Sequence, residues 1–253
     1  MLSIIISGCN GYMGRTVAAV AGADPGVTVT AGFDVFDEPN AGFPVYTDPE
    51  LCTERAGAVV DFSSPAAIDG LLRYCLSSKT PLVLCTTGHS SEQLDRVLRA
   101  SEQIPVFKSG NMSLGINLLA ELVKRACEVL GGAFDVEVVE RHHRRKVDAP
   151  SGTALMLADA AASALPYNAS YVYERRSDSR PRGDHDIGIS SVRGGTIVGD
   201  HEVIFAGLDE VIEFRHSASS RDVFAVGAVK AAAFMAGVAK PGMYDMRDVL
   251  ASC

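Results

Sequence analysis

The apolar run LSIIIS (2–7) passes directly into GCNGYMG (8–14), three glycines spaced G-x-x-G-x-x-G, and then into the helical pattern that completes 11–23. A buried strand that must reverse within a few residues and feed a helix leaves few architectures open. Glycine allows the tight turn and a close approach of backbone to a ligand, and the helix start behind it offers N–H groups and the positive end of the helix dipole. The alternation then repeats. VTVTAGFD (27–34) and AVVDFS (58–63) read as strands, followed by a helix from Pro65 to about Ser78; PLVLCTT (81–87), a helix near 91–102 and IPVFKSG (104–110) complete the series. Pro65 and Pro81 stand at element starts, where a missing N–H costs little. Strands alternating with helices pair in parallel through right-handed crossovers, so an α/β fold with a Rossmann-like doubly wound parallel sheet is expected.

The pattern then changes. LGINLLAELVKRACEVL (114–130) reads as a long amphipathic helix, FDVEVVE (134–140) as a strand, and 151–164 as an alanine-rich helix. Beyond the charged loop ERRSDSRPRGDHD (174–186), the runs IGISSVR, TIVGDHEVIFAG and EVIEFRH follow one another with little helix between them. Successive strands of this kind imply a second, α+β domain with a mixed sheet. The segment 221–238 is helical again and is expected to pack back on the first domain.

Composition narrows the function. The net charge of −8 argues against nucleic acid as the main partner, since phosphate binding needs a basic surface. Cys9, Cys52, Cys75, Cys85, Cys127 and Cys253 form no C-x-x-C pair, so reduced, packed thiols and no metal site are expected. No segment is long and apolar enough to span a bilayer, and MLSIIISG has no basic run ahead of its apolar residues, so a cytoplasmic protein without a leader is expected.

Asp34 ends the second strand at the distance at which a carboxylate meets the ribose hydroxyls of a dinucleotide, which favours NAD over NADP. No arginine follows it to hold a 2′-phosphate. CTTG (85–88) and SGNMS (109–113) follow later strands at their carboxyl ends, where such sheets bind ligands. Either could serve the nicotinamide end of a cofactor or be an ordinary turn.

Positive charge gathers in ERHHRRKVDAPSGTA (140–154), from Arg141 through His142, His143, Arg144 and Arg145 to Lys146. Three readings compete: a solvated charge run, a nucleic-acid patch, and an anion pocket with groups for proton transfer. Ser151 is a plausible N-cap, and the helix start at Gly152 and Thr153 beside a cation cluster suits a carboxylate. Histidine and lysine transfer protons near neutral pH when tuned. Adjacent histidines point apart on a strand, which disfavours a metal site.

Taken in order, GCNGYMG, DFSSP, CTTG, NMSLGIN, ERHHRRKVDAPSGTA, SVRGGTIVGDHEVIF and HSASSRDVFAVGAV resemble the landmarks of the dihydrodipicolinate reductases, over essentially the whole chain. The resemblance implies reduction of 4-hydroxy-tetrahydrodipicolinate with NADH or NADPH in lysine and diaminopimelate biosynthesis. It implies a dinucleotide-binding domain at 1–113 and 221–253, a substrate-binding and oligomerisation domain at 114–220, and a homotetramer. By position, His142 matches the proton donor and Lys146 the second catalytic residue, while His143, Ser151, Gly152 and Thr153 match the contacts to a dicarboxylate substrate. Gly8, Cys9, Asn10, Gly11, Tyr12, Met13, Asp34, Cys85, Thr86, Thr87, Ser109, Gly110, Asn111 and Met112 match cofactor contacts, with Arg221 and Phe224 reaching the cofactor on closure. Tyr12 stands where the family usually has arginine, Asp34 where many members have glutamate, and Cys85 and Met112 where glycine and phenylalanine are commoner. Two other classes fit the fold: a non-catalytic nucleotide sensor, and an oxidoreductase of another amino or keto acid. Intact His142, Lys146 and Ser151-Gly152-Thr153 favour the reductase over both.

Overall fold

The structure is a computed structural model that describes residues 1–37, 42–176 and 181–252. Part of the charged loop (177–180) and Cys253 lie outside the described residues. The chain forms two compact units: Met1–Leu114 with Asp222–Cys253, and Gly115–Arg221.

The first unit runs β1 (Leu2–Ser7), α1 (Tyr12–Ala23), β2 (Val27–Phe33), β3 (Val45–Tyr46), β4 (Ala58–Asp61), α2 (Ile68–Ser78), β5 (Leu82–Leu84), α3 (Ser91–Ser101) and β6 (Pro105–Lys108). After the second unit, described below, it is completed by α6 (Asp222–Ala236), β12 (Gly242–Tyr244) and α7 (Met246–Ala251). Its seven strands lie in the order β12-β6-β5-β4-β1-β2-β3, every pair parallel. The order reverses beside β1, so the carboxyl ends of β1, β2 and β4 open a crevice there.

Successive strand residues point to opposite faces. Ile4 and Ile6 join Val17 and Ala21 of α1 and Ala225, Ala228 and Met235 of α6 on one face. Ile5 meets Leu71 and Cys75 of α2 and Val97 of α3 on the other. Each buried Ile or Leu contributes roughly 1.5–3 kcal/mol. α3 is defined by a capping box in which Gln93 N donates to Ser90 Oγ (3.3 Å) and Ser90 N to Gln93 Oε1 (2.9 Å).

The second unit holds most of α4 (Leu114–Leu130), then β7 (Asp135–His142), α5 (Gly152–Ala162), β8 (Ser170–Val172), β9 (Asp186–Arg193), β10 (Gly199–Ala206) and β11 (Val211–Ala218). Its sheet is mixed, in the order β11-β10-β7-β9-β8. β10 is antiparallel to both β11 and β7, whereas β7–β9 and β8–β9 are parallel. Leu119 and Val123 of α4 and Leu157 and Ala158 of α5 cover one sheet face through Val136, Val138, Val203 and Phe205.

β7 extends two residues past the expected strand because β9 and β10 pair with it as far as Arg141 and His142. The short edge strands β3, β8 and β12 and the helix α7 carry no periodicity that a sequence could reveal.

The small residues of α6 let it sit close to the sheet, and at Gly227 a Cβ would drive into the carbonyl oxygen of Met112. Gly227→Ala is therefore expected to cost at least about 2 kcal/mol, read as a lower urea midpoint at unchanged slope. A midpoint equal to the parent's would contradict this packing.

Candidate active site

The first candidate site lies at the crevice of the first unit. Gly8 adopts φ +76°, and a Cβ there would stand 2.5 Å from the carbonyl oxygen of Phe62. A Cβ on Gly14 would strike the carbonyl of Gly8, so the turn and the first helical turn pack without room for side chains. Gly8 N and Cys9 N donate to Phe33 O (2.8 and 3.3 Å), and Gly11 N donates to Gly8 O (3.0 Å). α1, capped by Gly11, has no side-chain cap bond and no acidic residue in its first turn. That leaves the positive end of its dipole for an anion.

Asp34 stands just past β2. Its Oδ2 accepts from Asn10 N (2.9 Å) and its Oδ1 from Val35 N (2.8 Å), which hold the carboxylate at the rim. Gly8, Asn10, Gly11, Asp34, Ser63 and Arg73 are among the residues lining a groove of about 660 Å³. Tyr12 faces a neighbouring groove of about 690 Å³ with Arg15 and Asp222. The Cys9 side chain lies in the core, beneath Gly32, and burial and the Asp34 charge push its thiol up to about 11.

Cys85, Thr86 and Met112 are buried, whereas Thr87 and Gly110 are exposed. Thr86 Oγ1 is buried and has no hydrogen-bond partner among the described residues, a polar atom available to a ligand. Ser109 and Asn111 form a self-bonded turn: Ser109 Oγ donates to Asn111 O (2.8 Å), and Ser113 N donates to Asn111 Oδ1 (2.8 Å). Phe224, half-buried on α6, packs against the first unit's core. An uncapped helix start, glycines that exclude a Cβ and a roomy groove ending at a fixed carboxylate fit a dinucleotide.

The second candidate site is in the second unit. β7 delivers Glu140 and His142, two residues apart, to its covered face. Glu140 is fully buried. Its Oε2 lies 2.6 Å from His142 Nδ1, and Arg193 grips both carboxylate oxygens at 2.7 Å. Ser151 N, immediately ahead of α5, donates to Oε1 at 3.1 Å. Burial alone would raise the Glu140 pKa, but hydrogen bonds from Arg193, His142 and Ser191 outweigh it and bring it down to about 2.

Ser151 Oγ accepts from Ala154 N (3.1 Å) as the N-cap of α5 and meets His201 Nε2 at 3.0 Å. The side chain of Ser151 is thus spent on the fold, while Gly152 is exposed and Thr153 half-buried at the helix start. The His201 ring lies edge-on to His142, centroids 5.1 Å apart, and burial with the nearby His142 lowers its pKa to about 4.

His143 points the other way. With Arg144, Arg145, Gly195 and Thr196 it lines a groove of about 410 Å³. Desolvation, then the charges of Arg145, Arg221, His142 and Lys146, lower its pKa. Lys146 Nζ lies 2.9 Å from Asp148 Oδ1, and that contact holds the Asp148 carboxyl below its ordinary range. Arg221, expected at the cofactor, belongs to this unit and acts here on His143.

Glu140, Arg193 and His201 are functional candidates absent from the sequence reading. A glutamate two residues before a histidine on a strand shares its face, so Glu140 was within reach of that rule. Arg193 and His201 arrive through register, opposite His142 and Glu140 respectively, which no local pattern reveals.

The chain matches the two halves of one family, and the C-terminal match also takes in the segment 222–250 that packs in the first unit. Residues 2–112 match the family described as dihydrodipicolinate reductase, N-terminus, and residues 115–250 the family described as dihydrodipicolinate reductase, C-terminus. A 4-hydroxy-tetrahydrodipicolinate reductase of Caldanaerobacter subterraneus subsp. tengcongensis is 52% identical over 99% of this chain and 98% of its own. One from Clostridium tetani is 46% identical over 100% and 98%. Among solved structures, a dipicolinate-bound dihydrodipicolinate reductase from Paenisporosarcina sp. TG-14 superposes with a TM-score of 0.82 at 23% identity, over 98% of both chains. A probable dehydrogenase from Thermotoga maritima shares the fold, with a TM-score of 0.63 at 12% identity over 98% of this chain and 92% of its own.

The low pKa of Glu140 makes a stability statement. Its contribution is complete above the unfolded value near 4.5 and is lost as pH falls toward about 2. The size is on the order of 3 kcal/mol. Urea unfolding at a series of pH values is expected to show this acid loss, and Glu140→Gln to flatten it; an unchanged acid slope in the variant would contradict the anchoring.

Proposed function

Because the chain belongs to the dihydrodipicolinate reductase family, we propose that it uses NADH or NADPH to convert 4-hydroxy-tetrahydrodipicolinate, after loss of water to dihydrodipicolinate, into tetrahydrodipicolinate. This places it in lysine and diaminopimelate biosynthesis. The observation that carries the reading is the cluster in the second unit: a histidine tethered through one nitrogen to a buried carboxylate, which also accepts from the backbone at the start of α5.

His142 and Lys146 are the proposed catalytic residues, and His143, Gly152 and Thr153 the proposed contacts to a substrate carboxylate. Ser151 supports that site as the cap of α5. The dipicolinate bound by the Paenisporosarcina protein is a dicarboxylate of this class. The glycine turn with Asn10, Tyr12 and Met13, together with Asp34, Cys85 to Thr87, Ser109 to Met112, Arg221 and Phe224, is the proposed cofactor set; for Cys9, Cys85 and Met112, whose side chains are buried, backbone atoms would make the contact. When bound, reduced nicotinamide supplies a hydride to C4 of the dihydropyridine ring. The helix start and His143 orient the ring by one carboxylate. His142 delivers the balancing proton as electron density shifts to the ring nitrogen, and Lys146 stabilises the developing negative charge.

Asp34 supports a preference for NADH, because a carboxylate at the groove rim repels a 2′-phosphate. Arg73 lines the same groove, yet it is paired with Glu50 at 3.2 Å. For assembly we infer a homotetramer. The face of the second sheet opposite α4 and α5 presents Val139, Val192, Ile204 and Val211 beside the Arg141–Glu202 pair, an apolar and charged surface suited to another copy of the chain.

Lys146→Ala is expected to lower turnover by roughly a hundredfold or more while the affinity for NADH, measured by fluorescence titration, is unchanged. Turnover near the parent level would remove Lys146 from the mechanism. The parent enzyme is expected to give the higher kcat/KM with NADH than with NADPH; the reverse order would contradict the role given to Asp34.

A further inference from the structure

His142 has two ring nitrogens, and only one can carry the proton in the neutral ring. Its Nδ1 lies 2.6 Å from Glu140 Oε2. The carboxylate is fully buried, yet it is held ionised by the two-pronged Arg193 contact and by Ser151 N. An ionised carboxylate can only accept, so Nδ1 must donate. The lone pair of the neutral ring then sits on Nε2, which faces Gly199. A Cβ at Gly199 would lie 3.0 Å from Nε2. On the other side, the His201 ring stands edge-on to His142 and bonds Ser151 Oγ, filling the space into which the imidazole could turn.

We propose that Glu140 is a positioning residue for the reduction: it locks His142 as the Nδ1–H tautomer with Nε2 as the proton-transferring atom. Through Ser151 N the same carboxylate fixes the start of α5. One buried anchor therefore sets both the nitrogen that moves the proton and the helix end that orients the substrate carboxylate. This rests on the reading of His142 as the proton-transfer group. Positioning of a histidine by an outer carboxylate is commonly worth 10–100-fold in activity where it orients metal ligands, and the same orienting physics applies here.

Nitrogen-15 NMR of the full-length protein at about pH 8.5, roughly two units above the ordinary histidine value, reads the tautomer directly. The His142 signals are assigned by their loss in His142→Asn. The expected result is a protonated Nδ1 and an unprotonated Nε2 in the parent, and a mixture of tautomers in Glu140→Gln. In steady-state assays Glu140→Gln is expected to lower kcat about 10–100-fold, with KM for NADH within about twofold of the parent. A parent protein with the proton on Nε2 overturns the proposal, even if Glu140→Gln fails to fold. So does a folded Glu140→Gln with undiminished kcat. If the parent oxidises neither NADH nor NADPH with substrate, the assigned reaction fails, while the tautomer result still decides the role of Glu140.

Discussion

A carboxylate with no exposure to water would be expelled or neutralised unless its charge were met on every side, and Glu140 is so met. The Arg193 guanidinium, the His142 ring and the amide of Ser151 each give it a hydrogen bond, drawn from β9, β7 and the lead into α5. Because these partners come from separate elements, the second unit can satisfy the carboxylate only when its sheet register and its helix start are both in place. The basic stretch 140–154 is organised around this requirement. Its inward residues, His142 and Ser151, bond Glu140, and its outward residues, His143 with Arg144 and Arg145, form the wall of a cationic groove.

The first unit works by a different constraint, the exclusion of side chains. Gly8 and Gly14 leave no space for a Cβ, and Gly227 lets α6 press against the carbonyl of Met112. α6 follows the second unit in sequence but packs in the core of the first, so the turn 109–113 is backed by chain from the far end of the protein. Close backbone packing in one unit and a buried ion cluster in the other are separate solutions. Both place polar groups where a ligand can reach them, at the ends of regular elements.

Much of this was legible beforehand, for identifiable reasons. The parallel sheet was announced by β-branched runs alternating with helical periods, and α4 was marked over its full length by its amphipathic pattern. The glycine turn and Asp34 carried their own spacing rule, and they meet in one groove. The edge strands β3, β8 and β12 were not legible, because two or three residues show no period and their pairing depends on neighbours distant in sequence. The last two residues of β7 lay beyond the expected strand because Arg141 and His142 look like surface residues, whereas Glu202 and Glu140 supply the partners that let them sit in the sheet. Ser151 was placed correctly as a cap, but its bond to His201 required the register of β10.

The account stands on reduction of a cyclic dicarboxylate with a proton from His142. The most direct test generates 4-hydroxy-tetrahydrodipicolinate in place with dihydrodipicolinate synthase and follows oxidation of NADH by the purified protein and by its His142→Asn variant. The account predicts steady oxidation by the parent, and turnover lower by roughly two orders of magnitude in the variant, with the affinity for dipicolinate retained. Oxidation of neither NADH nor NADPH by the parent, or a variant as fast as the parent, would contradict it.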